Sequence, residues 1–205
     1  MEINGNAVLI VIDVMKGELG EAGEAGGGGN GIPVMGGAHE RHDKIREIVT
    51  ASRAAGVPPV FIQEVHKRSL IDFGRELDGS EPVHCLEGDE TTELADGLDP
   101  LPDEYVIRKR RYSAFFGTEL EIVLKAYKAQ TLILVGALTD VCVHYTFADG
   151  HQHDYFCRVV TDAVGGSSPE AHAAALSAMQ YLQRDALVAS EELLAALQTA
   201  SGRAI

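Results

Sequence analysis

Leu132-Ile133-Leu134-Val135 is an apolar run with no polar residue alternating through it, and Gly136 ends it. A strand with one wet face would alternate; an unbroken run suits a strand buried on both faces, as in a parallel sheet. Thr139 and Asp140 follow with N-cap chemistry, predicting a helix from about Val141. Cys142 then stands where a central strand hands over to a helix. Backbone N–H groups are unpaired there, and the helix dipole favours a thiolate. Two readings of this cysteine are open on its own residues: a nucleophile, or a small apolar side chain packing the helix onto the sheet.

The same pattern recurs along the chain. Ala7 to Ile12 reads AVLIVI and ends at Asp13, and Val60-Phe61-Ile62 leads into Glu64-Val65-His66. Tyr105-Val106-Ile107 runs into Arg108-Lys109-Arg110-Arg111, Cys157 to Thr161 ends at Asp162, and Ala186 to Ala189 makes a weak last strand. Helical spacing fills the gaps. Ala38 to Ala55 places Ile45, Ile48 and Val49 on one face, Thr118 and Glu121 form a capping box, Pro169 opens a helix to about Gln183, and Glu191 to Thr199 closes the series. Strands alternating with helices predict an α/β chain of one domain over residues 1–205. Its expected form is a doubly wound, Rossmann-like, mostly parallel sheet of about six strands flanked by helices. Gly17 to Gly37, with Gly26 to Gly29 in a row, is expected to be a mobile surface loop, either a lid or padding. Lys67 to Pro102 reads as a turn-rich excursion over the top of the sheet.

The formal charge of -14 argues against a nucleic-acid or anionic-membrane partner, which calls for a basic face. Ala7 to Ile12 is too short to span a bilayer, and the N-terminus lacks the basic start of a signal peptide. Three cysteines, Cys85, Cys142 and Cys157, make no disulfide framework, so a reducing cytoplasm is expected.

Three strand ends thus present an acid, a cation and a thiol: Asp13, Lys109 and Cys142. From one edge of a parallel sheet they can converge. Asp13 would take the thiol proton, Lys109 would hold the carboxylate charged, and the sulfur would attack a carbonyl carbon. Four motifs carrying these residues, VLIVIDV, IRKRRYSAFFGTEL, VGALTDVCV and RVVTDAVGGSSPEAH, occur in order. In them the chain resembles the isochorismatase-like cysteine hydrolases, the superfamily of nicotinamidases, N-carbamoylsarcosine amidases and ureide hydrolases. The resemblance implies a catalytic triad of Asp13, Lys109 and Cys142. It also implies a non-proline cis peptide between Ala137 and Leu138, and an oxyanion hole from the N–H groups of Leu138 and Cys142. Arg110 and Arg111 are expected at the surface or at a subunit contact. Tyr112, Phe115 and Phe116 are expected to wall the pocket. The family's glutamine after the acid is missing here, where Asp13-Val14-Met15 stands, which points to an unusual pocket.

Glu64-Val65-His66 and Pro82-Val83-His84-Cys85 resemble the metal-binding segments of nicotinamidases, with glutamate where that motif has aspartate. The expectation is a cofactor-free enzyme in which these residues form a hydrogen-bonded network. A zinc or iron ion on Glu64, His66 and His84 is the alternative. His144, His151 and His153 are read as solvated or interface residues. The function the resemblance implies is a cysteine-dependent amidohydrolase, cleaving a small amide, carbamoyl or ureide through a thioester. An isochorismatase-type hydrolase of a non-amide substrate and a catalytically silent binding homologue are the alternatives. The expected partners are a small-molecule substrate and further copies of the chain, as a dimer or tetramer.

Overall fold

The computed structural model describes residues 3–19, 31–79 and 81–201, so the glycine run 26–29 lies outside the described residues. Its strands are β1 (Asn6–Ile12), β2 (Pro59–Glu64), β3 (Tyr105–Lys109), β4 (Ala129–Ala137), β5 (Phe156–Gly165) and β6 (Leu187–Val188). They form one sheet in the order β3-β2-β1-β4-β5-β6, every neighbouring pair parallel. The helices are α1 (Ala38–Ala54), α2 (Leu120–Ala126), α3 (His144–Gln152), α4 (Pro169–Leu182) and α5 (Ser190–Ser201). Among the described residues no helix is long and apolar enough to cross a membrane.

Burial explains the unbroken apolar runs. In β1, Val8, Ile10 and Ile12 pack with Leu120, Phe147 and Met179 of α2, α3 and α4. Ala7, Leu9 and Val11 face the other way, against Ile45 and Ile48 of α1 and Leu193 and Leu197 of α5. Both faces are covered, so neither selects polar residues. Each such side chain buried fully contributes roughly 1.5–3 kcal/mol relative to exposure.

The chain winds from β1 outward through β2 to β3, then returns to place β4 on the other side of β1. The order therefore reverses between β1 and β4, and the carboxyl ends of these strands open a crevice where such folds bind ligands. Gly136 makes the approach of the two strands possible. It pairs with Ile12, its φ is 115°, and a Cβ there would run into the Ile12 carbonyl oxygen.

Several sequence-based boundaries shift. Thr139 and Asp140 do not cap a helix at Val141; Thr139–Val143 is a π-helical turn without a side-chain cap, and α3 begins at His144. Their side chains are used elsewhere. Thr139 Oγ1 lies 2.9 Å from His172 Nδ1, and Asp140 accepts from the Ser167 N–H and hydroxyl at 2.8 and 2.6 Å. These three contacts brace the first turn of α4 and the loop before it, whose N-cap is Ser168. β5 continues past Asp162 to Gly165 with a register shift against β4, and Asp162 accepts from the Ser190 N–H at the start of α5. The proposed box at Thr118 is absent. Thr118 Oγ1 accepts from the Leu120 N–H, while Glu121 pairs with Lys125. Nor is the described start of the glycine-rich segment padding: Lys16–Leu19 is a 3-10 turn in which Gly17 is buried and Leu19 packs against the α1 layer.

Candidate active site

Lys109, the last residue of β3, is registered beside Glu64, the last of β2, and is wholly buried. Its ammonium lies 2.6 Å from Glu64 Oε2, 2.9 Å from Asp13 Oδ2 and 3.3 Å from Cys142 Sγ. Asp13 leaves the end of β1 with φ of 51°, a left-handed turn that aspartate tolerates better than most residues. Its Oδ1 accepts from the Glu64 N–H at 2.8 Å and its own N–H donates to Ile62 O at 3.0 Å. Cys142 sits in the π-helical turn beyond β4, its sulfur 3.8 Å from Glu64 Oε2. The Ala137–Leu138 peptide is cis. The three residues read from distant strand ends are thus brought together, and Glu64 joins them.

Two carboxylates share one ammonium, and their fates differ. Burial pushes Asp13 up to about 6, with Lys109 opposing and Glu64 assisting. Burial also pushes Glu64 up, but Lys109 and the hydrogen bonds from His66 and His84 outweigh it and hold the carboxyl well below its usual range. Burial works against the charge of Lys109, yet Asp13, Cys142 and Glu64 raise it well above the ordinary lysine value. For Cys142, burial and the flanking carboxylates outweigh Lys109 and hold the thiol well above its usual value. A thiolate favoured by a helix terminus is therefore not the resting state here. The proton stays on sulfur, and a base is needed to remove it.

These groups open onto a cleft lined by Asp13, Cys142, Leu138, His84 and Tyr112. Tyr112 stands where the sequence places it. Phe115 does not; it stacks on His153 and Tyr155, because the turn it belongs to is docked onto α3 by a bond from the Ala114 N–H to Thr146 Oγ1. Phe116 points to solvent at 65% exposure. Glu18, Ile32, Val34 and Glu81 line the cleft instead. Sequence periodicity gives no signal for them, since they lie in turn-rich segments; their only cue is closeness to Asp13 and His84 in the chain. Arg110 and Arg111 are tied to Asp72, the first by a 2.7 Å bond to its carboxylate and the second through its backbone carbonyl at 2.6 Å. They anchor the excursion after β2.

That excursion returns beside the end of β2, where the His66 N–H donates to Cys85 O at 2.7 Å and so delivers His84. His84 Nε2 lies 2.9 Å from Glu64 Oε1. His66 Nε2 is 3.2 Å from both Glu64 Oε1 and Glu76 Oε2. Burial works against protonation of His66, but Glu64 and Glu76 push its imidazole up to about 9. Glu76 is the member that sequence reading missed, being a lone acid in a turn. All four are buried, and neither Glu76 oxygen has a hydrogen-bond partner. Two imidazoles and two carboxylates around one point are a donor set that fits a zinc or iron ion. His151 stacks on Phe147 and His153 on Phe115; neither joins a candidate metal group among the described residues.

The Isochorismatase domain model matches residues 7–192. Ureidoacrylate amidohydrolase RutB of Methylobacterium radiotolerans is 32% identical over 151 residues, 65% of this chain and 58% of that one. RutB of Methylorubrum extorquens is 31% identical over 180 residues, 80% of this chain and 71% of that one. The match therefore spans less than two thirds of the first relative's length. Among solved structures, nicotinamidase PncA from Bacillus subtilis superposes with a TM-score of 0.74 at 28% identity, over 90% of this chain and 99% of that one. A domain match running from the first strand into the last helix, on a fold shared at that level, means that the chain belongs to the isochorismatase family.

Proposed function

We propose that this chain is a cysteine amidohydrolase that cleaves the C–N bond of a small amide, carbamoyl or ureide compound through a thioester. The observation that carries the reading is the contact of one buried ammonium with the thiol and with two carboxylates. Asp13, close to neutrality, accepts the thiol proton as Cys142 Sγ attacks the carbonyl carbon. The N–H groups of Leu138 and Cys142, whose residues line the cleft, serve as donors to the oxyanion. Asp13 then gives its proton to the leaving nitrogen, and the amine departs. Water attacks the thioester carbonyl with Asp13 again taking a proton, and the acid and free thiol are released. Lys109 holds both carboxylates in place, and Glu64 positions Lys109.

The reading is tested by ammonia release from nicotinamide, biuret, ureidoacrylate and N-carbamoyl amino acids, comparing wild type with Cys142→Ala. Release that vanishes in the variant supports the thiol mechanism; release that survives overturns it.

Glu64, His66, Glu76 and His84 would hold a divalent ion, which when bound supplies a Lewis acid beside the cleft. No step above passes through it. Elemental mass spectrometry of protein purified without chelator is expected to find about one zinc or iron per chain, and His66→Ala to lose it. Metal-free wild type would return these residues to a purely hydrogen-bonded network. Three free, buried cysteines support a reducing cytoplasm as the protein's place. A homo-oligomer, a dimer or tetramer, rests on the family resemblance.

A further inference from the structure

Met15 stands two residues past Asp13, where the family motif carries a glutamine, and it lines the cleft. Val14 between them packs into the α1 layer, so Asp13 and Met15 both reach the cleft. The stretch is held in place. The Ala95 N–H donates to Val14 O at 3.0 Å, the Lys16 N–H donates to Glu93 O at 2.9 Å, and Met15 is buried. A thioether therefore occupies the position for which the motif supplies an amide. It offers bulk and polarisability, and only a weak acceptor.

Ile32 and Val34 extend the same wall. Gly31 and Pro33 are exposed while Ile32 and Val34 are half-buried and line the cleft, the alternation of an extended segment with one face inward. The Met35 N–H donates to Gly166 O at 2.9 Å, and Arg41 donates to Met35 O and Gly36 O at 3.0 and 2.6 Å. These bonds tie the segment to the loop after β5 and to α1. Leu138 and Val141 come from the nucleophile turn itself.

The charged groups of the wall are occupied within the protein. Asp13 and Glu64 share Lys109, and Glu18 pairs with His42 at 2.7 Å and with Arg41 at 3.8 Å. Both His84 ring nitrogens face acceptors, Pro82 O at 2.6 Å and Glu64 Oε1 at 2.9 Å. Burial pushes the Glu81 carboxyl up, and His84 opposes that shift as its counter-charge. Glu64, His66, Glu76 and His84 already make four donors, the full set of a tetrahedral ion, so a bound metal would add no free position to the wall. Among the described residues, what remains to meet the body of a substrate is apolar surface.

We propose that the cleft takes a substrate whose part beyond the scissile carbonyl is uncharged and apolar, packed among Met15, Ile32, Val34, Leu138 and Val141, with Met15 setting the preference. The position of the scissile bond rests on the amidase reading; the polarity of the wall does not. Four primary amides of similar length separate the possibilities: 4-methylpentanamide, succinamide, succinamate and 4-aminobutanamide. The expected kcat/KM for ammonia release is highest for the first and lower by about a hundredfold for both charged amides, with succinamide between. A charge entering this wall leaves water without gaining a partner. Met15→Gln should narrow the gap between 4-methylpentanamide and succinamide about tenfold, and Met15→Leu should keep it. Equal rates, or an order led by succinamide or by either charged amide, overturn the proposal and leave the amidase reading standing. So does turnover of ureidoacrylate or an N-carbamoyl amino acid above that of 4-methylpentanamide.

A second arm needs no turnover. Cys142 is labelled with propyl, ethylammonium or ethylsulfonate methanethiosulfonate, followed by peptide mass spectrometry, each rate being divided by that for a free small thiol. The propyl reagent is expected to be faster than both charged ones by about tenfold, with the advantage shrinking in Met15→Gln. Equal rates, or a charged reagent in the lead, overturn the proposal. Ammonia from none of these compounds overturns the amidase reading, and the labelling rates alone then decide the polarity of the wall.

Discussion

Asp13→Asn is expected to lower kcat/KM for an amide substrate about a thousandfold while the protein stays folded. General base catalysis contributes roughly 10²–10⁴ in rate, and asparagine keeps the shape but cannot take the thiol proton. Stability should move the other way. Burial raises the carboxyl from 3.8 to about 6, so the folded state binds this proton more tightly than the unfolded chain does. The stability this contributes is fully present below pH 3.8 and is lost as pH rises through about 6, a change of about 3 kcal/mol. At pH 7 the variant no longer buries that charge and should melt at the same temperature as wild type or higher. For wild type, kcat/KM should fall about tenfold per pH unit below about 6, as Asp13 becomes protonated before it can act. Rate and melting temperature falling together in the variant would make Asp13 a structural residue.

Lys109→Met should have the opposite signature, a loss of about 3–5 kcal/mol in urea unfolding together with loss of activity. The substitution leaves Asp13 and Glu64 buried without the ammonium that both now touch. Lys109→Arg is not expected to rescue it, because a planar fork replaces a compact charge that reaches three groups. Adding Glu64→Gln to Lys109→Met should recover part of the stability, since one unpaired carboxylate is removed; strict additivity of the two changes would mean that they do not interact.

The parts of this molecule legible in its sequence are those governed by burial. A strand covered on both faces leaves an unbroken apolar run, and such runs in β1 and β4 placed Asp13 and Cys142 at the rim of a parallel sheet. Lys109 ends an edge strand whose Tyr105 and Val106 are exposed, and it was the family resemblance that singled it out from the neighbouring arginines. The side-chain partnerships were not. Glu64 reads as a metal-binding residue in the linear motif, yet its register beside Lys109 makes it the ammonium's closest partner. Thr139 and Asp140 look like caps but bond across to His172 and Ser167, because the π-helical turn delays α3. Phe115 and Phe116 follow the lysine in the chain and still miss the cleft, since a single docked turn sends one inward and the other to solvent. Glu18, Glu76 and Glu81 come from segments without periodicity, where position is decided by tertiary contacts alone.

The central claim is a covalent bond between Cys142 and the acyl part of the substrate. Its most direct test is intact-protein mass spectrometry of acid-quenched enzyme during turnover of the best amide, with peptide mapping of any adduct. The predicted result is a mass increase equal to the acyl group on the peptide containing Cys142, absent in Cys142→Ala and lost when turnover ends. Undiminished ammonia release by Cys142→Ala, with no adduct at any time in the wild type, would contradict the account.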